Sequence, residues 1–238
     1  MKRKEDLRRK RLKELRQKRM IIGFVVTIGI LLLASAFVIP AIYRNLSASQ
    51  NNVDPNIILP TPRDYPQVSG NAMGDPNAPV KVSIFSNFYC GHCKTFAQVA
   101  EANIVDTYIK TGKVFFTEYA YTWSDQAFLA AQASYCAREQ GKFWEYRDMV
   151  FANVSNPKLG ALDTLNLTKL AVPLQLDMDK FSQCLQTQKY ANEVLNDIDL
   201  AKSLGLQGTP TFIVNGKVVY ANELIDTIES ELQPQDQP

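Results

Sequence analysis

Val80-Lys81-Val82-Ser83-Ile84-Phe85-Ser86-Asn87-Phe88-Tyr89-Cys90-Gly91-His92-Cys93 is the stretch that decides the fold. Residues 80–85 are β-rich, with Asn77-Ala78-Pro79 before them and Ser86-Asn87 after, which predicts a strand that runs straight into Cys90. From His92 to about Lys110, apolar residues at Phe96, Val99, Ala100, Ile104, Val105 and Ile109 recur at helical spacing, and Thr111-Gly112 supplies the stop. A second strand is predicted from Val114 to Tyr121. A strand, a helix of this length and a second strand form a βαβ unit, which requires the two strands to be parallel.

Downstream, helical character persists over Ser124–Gln140, Phe143–Phe151, Leu165–Leu174, Met178–Gln186 and Val194–Leu204, which reads as a helical domain inserted at about 122–205. Strand character returns at Thr211–Val214, Asn215-Gly216 offers a tight hairpin turn, Lys217–Tyr220 is the return strand and Leu224–Leu232 a closing helix. The fold class is therefore α/β, with the folded domain expected at 76–234 and no internal repeat. Hydrophobic residues at 46% and charged residues at 21% are ordinary for a globular chain, and exclude a collagen-like or fully disordered one.

Upstream, residues 44–75 are rich in Asn, Ser, Pro and Gly without a sustained period, and are expected to form a tether, with an ordered strap on the domain surface as the alternative for its second half. Residues 20–43 contain no charge, enough for a helix to cross a bilayer, for which about 20 residues suffice. Residues 1–19 carry 11 Lys or Arg against 3 Asp or Glu. Positive charge concentrated before the apolar run predicts a single-pass anchor in the cytoplasmic membrane, with a cytoplasmic N-terminus and the domain outside. Ala34-Ser35-Ala36 resembles a signal-peptide cleavage site, but the apolar run continues through Phe37-Val38-Ile39, which favours an uncleaved anchor. Nucleic acid is not an expected partner, because the basic segment abuts the apolar run and has no aromatic residue to stack on bases.

Two of the four cysteines form Cys90-Gly91-His92-Cys93 at the strand-to-helix junction. A helix N-terminus favours negative charge, so the Cys90 thiolate should be stabilised relative to a free thiol. His92, the one histidine in the chain, would add positive charge beside it when protonated, stabilising the reduced form and making the disulfide more oxidising. Zinc is not expected, since about four ligands are needed and no second Cys-x-x-Cys is present. A purely structural disulfide across so short a loop would constrain the unfolded chain little.

The strand, Phe88-Tyr89-Cys90-Gly91-His92-Cys93, the βαβ unit and Gly208-Thr209-Pro210-Thr211-Phe212 resemble a thioredoxin fold of the DsbA-like branch from about residue 78 to 233. Residues 136–146 are similar to what membrane-anchored DsbA-like proteins carry in their helical domain. The resemblance implies that Pro210 is a cis-proline facing the cysteine pair and that the backbone of Thr209 pairs with bound substrate. It further implies thiol:disulfide exchange on exported unfolded proteins with free thiols, reoxidation by a quinone-linked membrane oxidase, and no organic cofactor or metal.

Two departures stand out. The dipeptide is Gly-His, as in protein disulfide isomerase, where the DsbA type has Pro-His. No acidic residue sits on the first strand, where this fold often buries one; Glu118 on the second strand is the candidate substitute as proton relay, with a strand-end or edge glutamate as the alternative. Cys136 and Cys184 lie on two different predicted helices and are expected to pair in an oxidising compartment, with a second redox relay as the functional alternative. Closing a loop of about 49 residues would add about 4 kcal/mol on the chain-entropy model. Phe143, Trp144 and Tyr146 are expected in the core, whereas Phe88 and Tyr89 could contact substrate if exposed. The alternative functions are a reductase or isomerase of the same fold, or a non-catalytic anchored module with structural disulfides.

Overall fold

The computed structural model describes residues 53–233. The basic segment 1–19, the apolar run 20–43 and the first part of the expected tether lie outside the described residues. Among those described, no helix is long and apolar enough to cross a membrane.

Five strands form one mixed sheet: β1 (Ala72–Met73), β2 (Val80–Ser86), β3 (Val114–Ala120), β4 (Thr211–Val214) and β5 (Lys217–Val219), in the spatial order β1-β3-β2-β4-β5. β2 and β3 are parallel and the other pairs antiparallel. The crossover is helix α1, which starts at Gly91 and ends at Ile109. It alternates α turns (Gly91–Thr95, Glu101–Ile104) with π turns (Phe96–Ala100, Val105–Ile109), a feature the apolar spacing did not reveal. Between β3 and β4 lie α2 (Asp125–Arg138), α3 (Phe143–Asn153), α4 (Thr164–Ala171), α5 (Met178–Gln186) and α6 (Ala191–Ser203), and α7 (Leu224–Leu232) closes the chain. This is the expected thioredoxin-like arrangement with helices inserted before the terminal hairpin. The hairpin turn follows from its residues: Asn215 and Gly216 both have positive φ, 46° and 86°, as a two-residue turn of this twist requires.

Period-two alternation puts Val80, Val82, Ile84 and Ser86 on one face of β2, and the parallel register puts Val114, Phe116, Glu118 and Ala120 on the same face of β3. All but Ala120 are buried. The principal core forms on that face, where Phe143, Trp144 and Tyr146 of α3 are fully enclosed. Cys136 of α2 is joined to Cys184 of α5, tying two inserted helices together. The opposite face is smaller: Phe85 stacks on Tyr119 over Ala201 and Leu206.

The tether expected at 44–75 is corrected from Val53 onward, because this stretch packs as a strap along the domain. Ile57 and Met73 are buried, and β1 pairs with β3, so the folded unit begins well before residue 76. Ahead of β1, distant side chains hold part of the strap's backbone. The Ile58 N–H donates to Asn153 Oδ1 at 2.9 Å, and Asn153 Nδ2 donates to the Ile58 carbonyl at 2.8 Å. At Gly74, with φ at 95°, a Cβ would sit 2.6 Å from the Val114 carbonyl oxygen, so only glycine lets the strap enter the sheet here.

Candidate functional site

Cys90 sits at the N-cap of α1 with extended backbone, and its carbonyl accepts the first helical hydrogen bond from Lys94 at 3.1 Å. Asn87 shapes the approach. Its side-chain oxygen accepts from the Tyr89 N–H at 2.8 Å, and its carbonyl accepts from the Cys90 N–H at 3.0 Å. This is the local turn that asparagine favours between a strand and a helix. Cys90 and Cys93 are both thiols here; Cys90 is partly exposed, whereas Cys93 is 1% exposed.

The two sulfurs are driven apart in acidity. Burial alone would raise Cys90, but the Thr209 side chain, the backbone and side chain of Cys93 and the backbone of His92 favour its thiolate, and the net effect is downward. Burial pushes the Cys93 thiol up to about 12, against the Thr209 hydroxyl, the Asn87 N–H at 3.5 Å and the Ser86 hydroxyl. The outer sulfur is therefore the better thiolate and leaving group, and the inner one is a strong base once freed.

Thr209 and Pro210 stand against this pair. Their peptide bond is cis, and the Cys90 thiol donates to the Thr209 carbonyl at 3.2 Å. His92 is exposed and bears on Cys90 through its backbone N–H. Phe88, whose exposure the sequence left open, is buried against Phe151 of α3 with ring centroids 4.9 Å apart, so it packs in the core. Tyr89 remains 41% exposed beside Cys90, and Trp123 is 67% exposed at the start of the helical insertion.

Glu118 is neither at an edge nor at a strand end, because β3 lies between β1 and β2. Its carboxyl is buried on the same sheet face as Ser86, whose side chain favours the ionised form of both Glu118 and Cys93. A cavity of about 10 Å³, lined in part by Ser86, Glu118 and Ser134, adjoins them and matches the space of a single water. Burial raises Glu118 from 4.5 to about 7, the nearby carboxylates of Glu101 and Asp148 add to the rise, and the Arg147 guanidinium opposes it.

Arg147, fully enclosed on α3, was not foreseen as a site residue. Its Nε lies 2.5 Å from Glu118 Oε2, its Nη1 donates to Glu101 Oε1 at 2.9 Å, and its Nη2 contacts Glu101 Oε2. Asp148 Oδ1 is 3.4 Å from Nη1, and the Tyr65 hydroxyl donates to Asp148 Oδ2 at 2.5 Å. The guanidinium is also sandwiched near the rings of Trp144 and Phe151, at 5.1 and 5.4 Å from their centroids. The sequence did hold a signal for this cluster: Glu101 follows Ala97 by four residues and precedes Ile104 by three, on the buried stripe of α1, and Arg147 sits in a helix buried on nearly every side.

The family profile described as Thioredoxin matches residues 67–233. The probable disulfide bond formation protein D of Bacillus anthracis is 28% identical over 168 residues, which cover 68% of this chain and 76% of that protein. The Na(+)/H(+) antiporter NhaA 3 of Salinispora tropica is 29% identical over 180 residues, 72% of this chain, but this chain spans only 24% of its length. Among solved structures, oxidised BdbD from Bacillus subtilis aligns with a TM-score of 0.63 at 27% identity, covering 71% of this chain and 96% of that one. Wolbachia pipientis alpha-DsbA1 aligns with a TM-score of 0.58 at 25% identity, covering 74% of this chain and 95% of its own.

Proposed function

The chain belongs to the thioredoxin family over residues 67–233, and from that premise we propose that it is a protein disulfide oxidoreductase that introduces disulfides into exported proteins. The observation that carries this reading is the placement of the cysteine pair: Cys90 partly exposed at a helix start against the carbonyl of the cis Thr209-Pro210 bond, and Cys93 buried behind it.

The reaction begins from the Cys90–Cys93 disulfide. A substrate thiolate attacks Cys90 Sγ, the Cys90–Cys93 bond breaks, and its electron pair passes to Cys93, which takes a proton. Glu118, protonated near neutrality, is the donor, with the Ser86 hydroxyl between them. A second substrate thiolate then attacks the substrate sulfur of the mixed disulfide. Cys90 leaves as a thiolate, stabilised by the Thr209 hydroxyl and the surrounding N–H groups, and the substrate departs oxidised. The backbone of Thr209 aligns the substrate segment, and Tyr89 and Trp123 give it exposed apolar surface. His92 adds positive charge near the thiolate when protonated. The cysteine pair is the only redox group the reaction requires.

The basic segment 1–19 and apolar run 20–43 support a single-pass anchor that holds this domain on the outer side of the cytoplasmic membrane. A quinone-linked membrane oxidase is the partner that accepts electrons from Cys90 and Cys93 there. The test is oxidation of a reduced, unfolded two-cysteine protein by the oxidised full chain in detergent. The substrate should gain one disulfide per Cys90–Cys93 disulfide consumed, and the Cys90→Ser variant should give none. A wild-type chain that leaves the substrate thiols untouched would overturn the proposal.

A further inference from the structure

Three carboxylates, from Glu101, Glu118 and Asp148, meet two guanidiniums, from Arg147 and Arg63, in one cluster that reaches the sheet face of Ser86 through Glu118. Full ionisation would leave one uncompensated negative charge in a buried site, which is costly, so the cluster favours holding one proton. The geometry assigns that proton. Glu101 has both oxygens on Arg147, and its Oε1 is also 3.6 Å from Arg63. Asp148 is held by Arg147 and by the Tyr65 hydroxyl, at the edge of an open cavity of about 240 Å³. Glu118 has one guanidinium contact and otherwise borders the water-sized cavity it shares with Ser86, so it is the carboxyl that carries the proton. From α2, Tyr135 offers it nothing, because its hydroxyl is engaged with Asp197.

Arg63 and Tyr65 come not from the sheet or the helical insertion but from the strap. Arg63 is fixed there by donating to the carbonyls of Ala97 and of Gln98, the latter at 2.9 Å, where α1 takes a π turn. Tyr65 is fixed by its stack on Trp144, with centroids 5.6 Å apart. Neither residue touches the cysteines, yet together they supply one of the two positive charges of the cluster and the hydroxyl that steadies its third carboxylate.

We propose that the strap completes the redox centre from behind: Arg63 and Tyr65 are positioning residues that set how tightly Glu118 holds the proton it exchanges with Cys93. This rests on the reading of Glu118 as the proton partner of Cys93. Without Arg63 the cluster carries a second uncompensated charge, Glu118 holds its proton more tightly, and it becomes a base only at higher pH. Tyr65→Phe acts in the same direction and less strongly.

The test follows the step in which Cys93 must lose its proton. Reduced full chain in detergent is mixed with oxidised glutathione, giving a Cys90–glutathione mixed disulfide. Cys93 sulfur then attacks Cys90 Sγ, the bond to glutathione breaks, glutathione leaves as thiolate with the electron pair, and the Cys93 proton passes by way of Ser86 to Glu118. The decay of the mixed disulfide, followed by quenching and mass spectrometry from pH 5 to 9, should accelerate as Glu118 ionises. Arg63→Gln should move that acceleration upward by roughly one pH unit, Arg63→Lys should restore it, and Tyr65→Phe should move it by a smaller amount. A wild-type profile in folded Arg63→Gln overturns the inference; if that variant does not fold, a wild-type profile in Tyr65→Phe does so. Glu118→Gln separates the two layers. If it keeps the acceleration, the Glu118 reading itself fails; if it loses the acceleration while the strap variants keep it, only the strap's role fails.

Discussion

Glu118→Gln should reduce the loss of folding stability that the chain suffers between about pH 5 and 8. In the unfolded chain this carboxyl releases its proton around 4.5, whereas burial holds the folded group up to about 7. Between those values the folded state retains a proton that the unfolded state has given up, so stability falls as pH rises and the full cost is reached above the folded value. A displacement from 4.5 to about 7 corresponds to roughly 3 kcal/mol. Gln keeps the shape and removes the titration. Glu101, raised by its own burial, keeps part of the slope in the variant. The assay is urea unfolding of both proteins at several pH values, read from fluorescence of the fully buried Trp144. Wild-type and variant curves that fall in parallel across this range would refute the assignment of the raised carboxyl to Glu118.

Cys93→Ser mixed with oxidised glutathione should accumulate a Cys90–glutathione mixed disulfide, one glutathione leaving as thiolate, visible as an added mass that reductant removes, while Cys90→Ser should form none. Cys136→Ser with Cys184→Ser should lower stability by about 4 kcal/mol on the chain-entropy model, seen as a lower urea midpoint, with exchange at Cys90 retained under conditions where the protein stays folded. Phe88→Ala should cost about 3–5 kcal/mol because its ring is buried on Phe151. Tyr89→Ala should leave stability within about 0.5 kcal/mol and instead weaken binding of an unfolded substrate.

What was legible in the sequence was what is local. The strand ending at Cys90, the helix that follows and the hairpin at Asn215-Gly216 each announce themselves through periodicity or turn chemistry within about 20 residues. The strap was legible only as the alternative to a tether, because Ile57 and Met73 dock singly and the partners of its backbone, Asn153 and Asn156, lie about a hundred residues away in sequence. The Arg147 cluster was hard to read for the same reason: it gathers residues 63, 65, 101, 118, 147 and 148, and apart from the adjacent Arg147 and Asp148 no short window contains both a charge and its partner across the cluster. Glu118 could be flagged, as a charge in an otherwise apolar strand. What it does depended on Ser86 sharing its sheet face, which only the parallel register of β2 and β3 establishes. Phe88 shows the limit from the other side: adjacent to the cysteine pair in sequence, it is claimed by the inserted helices through Phe151.

The central claim, that the Cys90–Cys93 pair donates disulfides, is tested most directly by its reduction potential in the full chain, equilibrated with glutathione with Cys136 and Cys184 left intact. A stabilised Cys90 thiolate beside a Gly-His dipeptide predicts a value of about −120 to −180 mV, the range of oxidants of this fold. A value near or below about −250 mV, closer to thioredoxin, would contradict the account and make the protein a reductase.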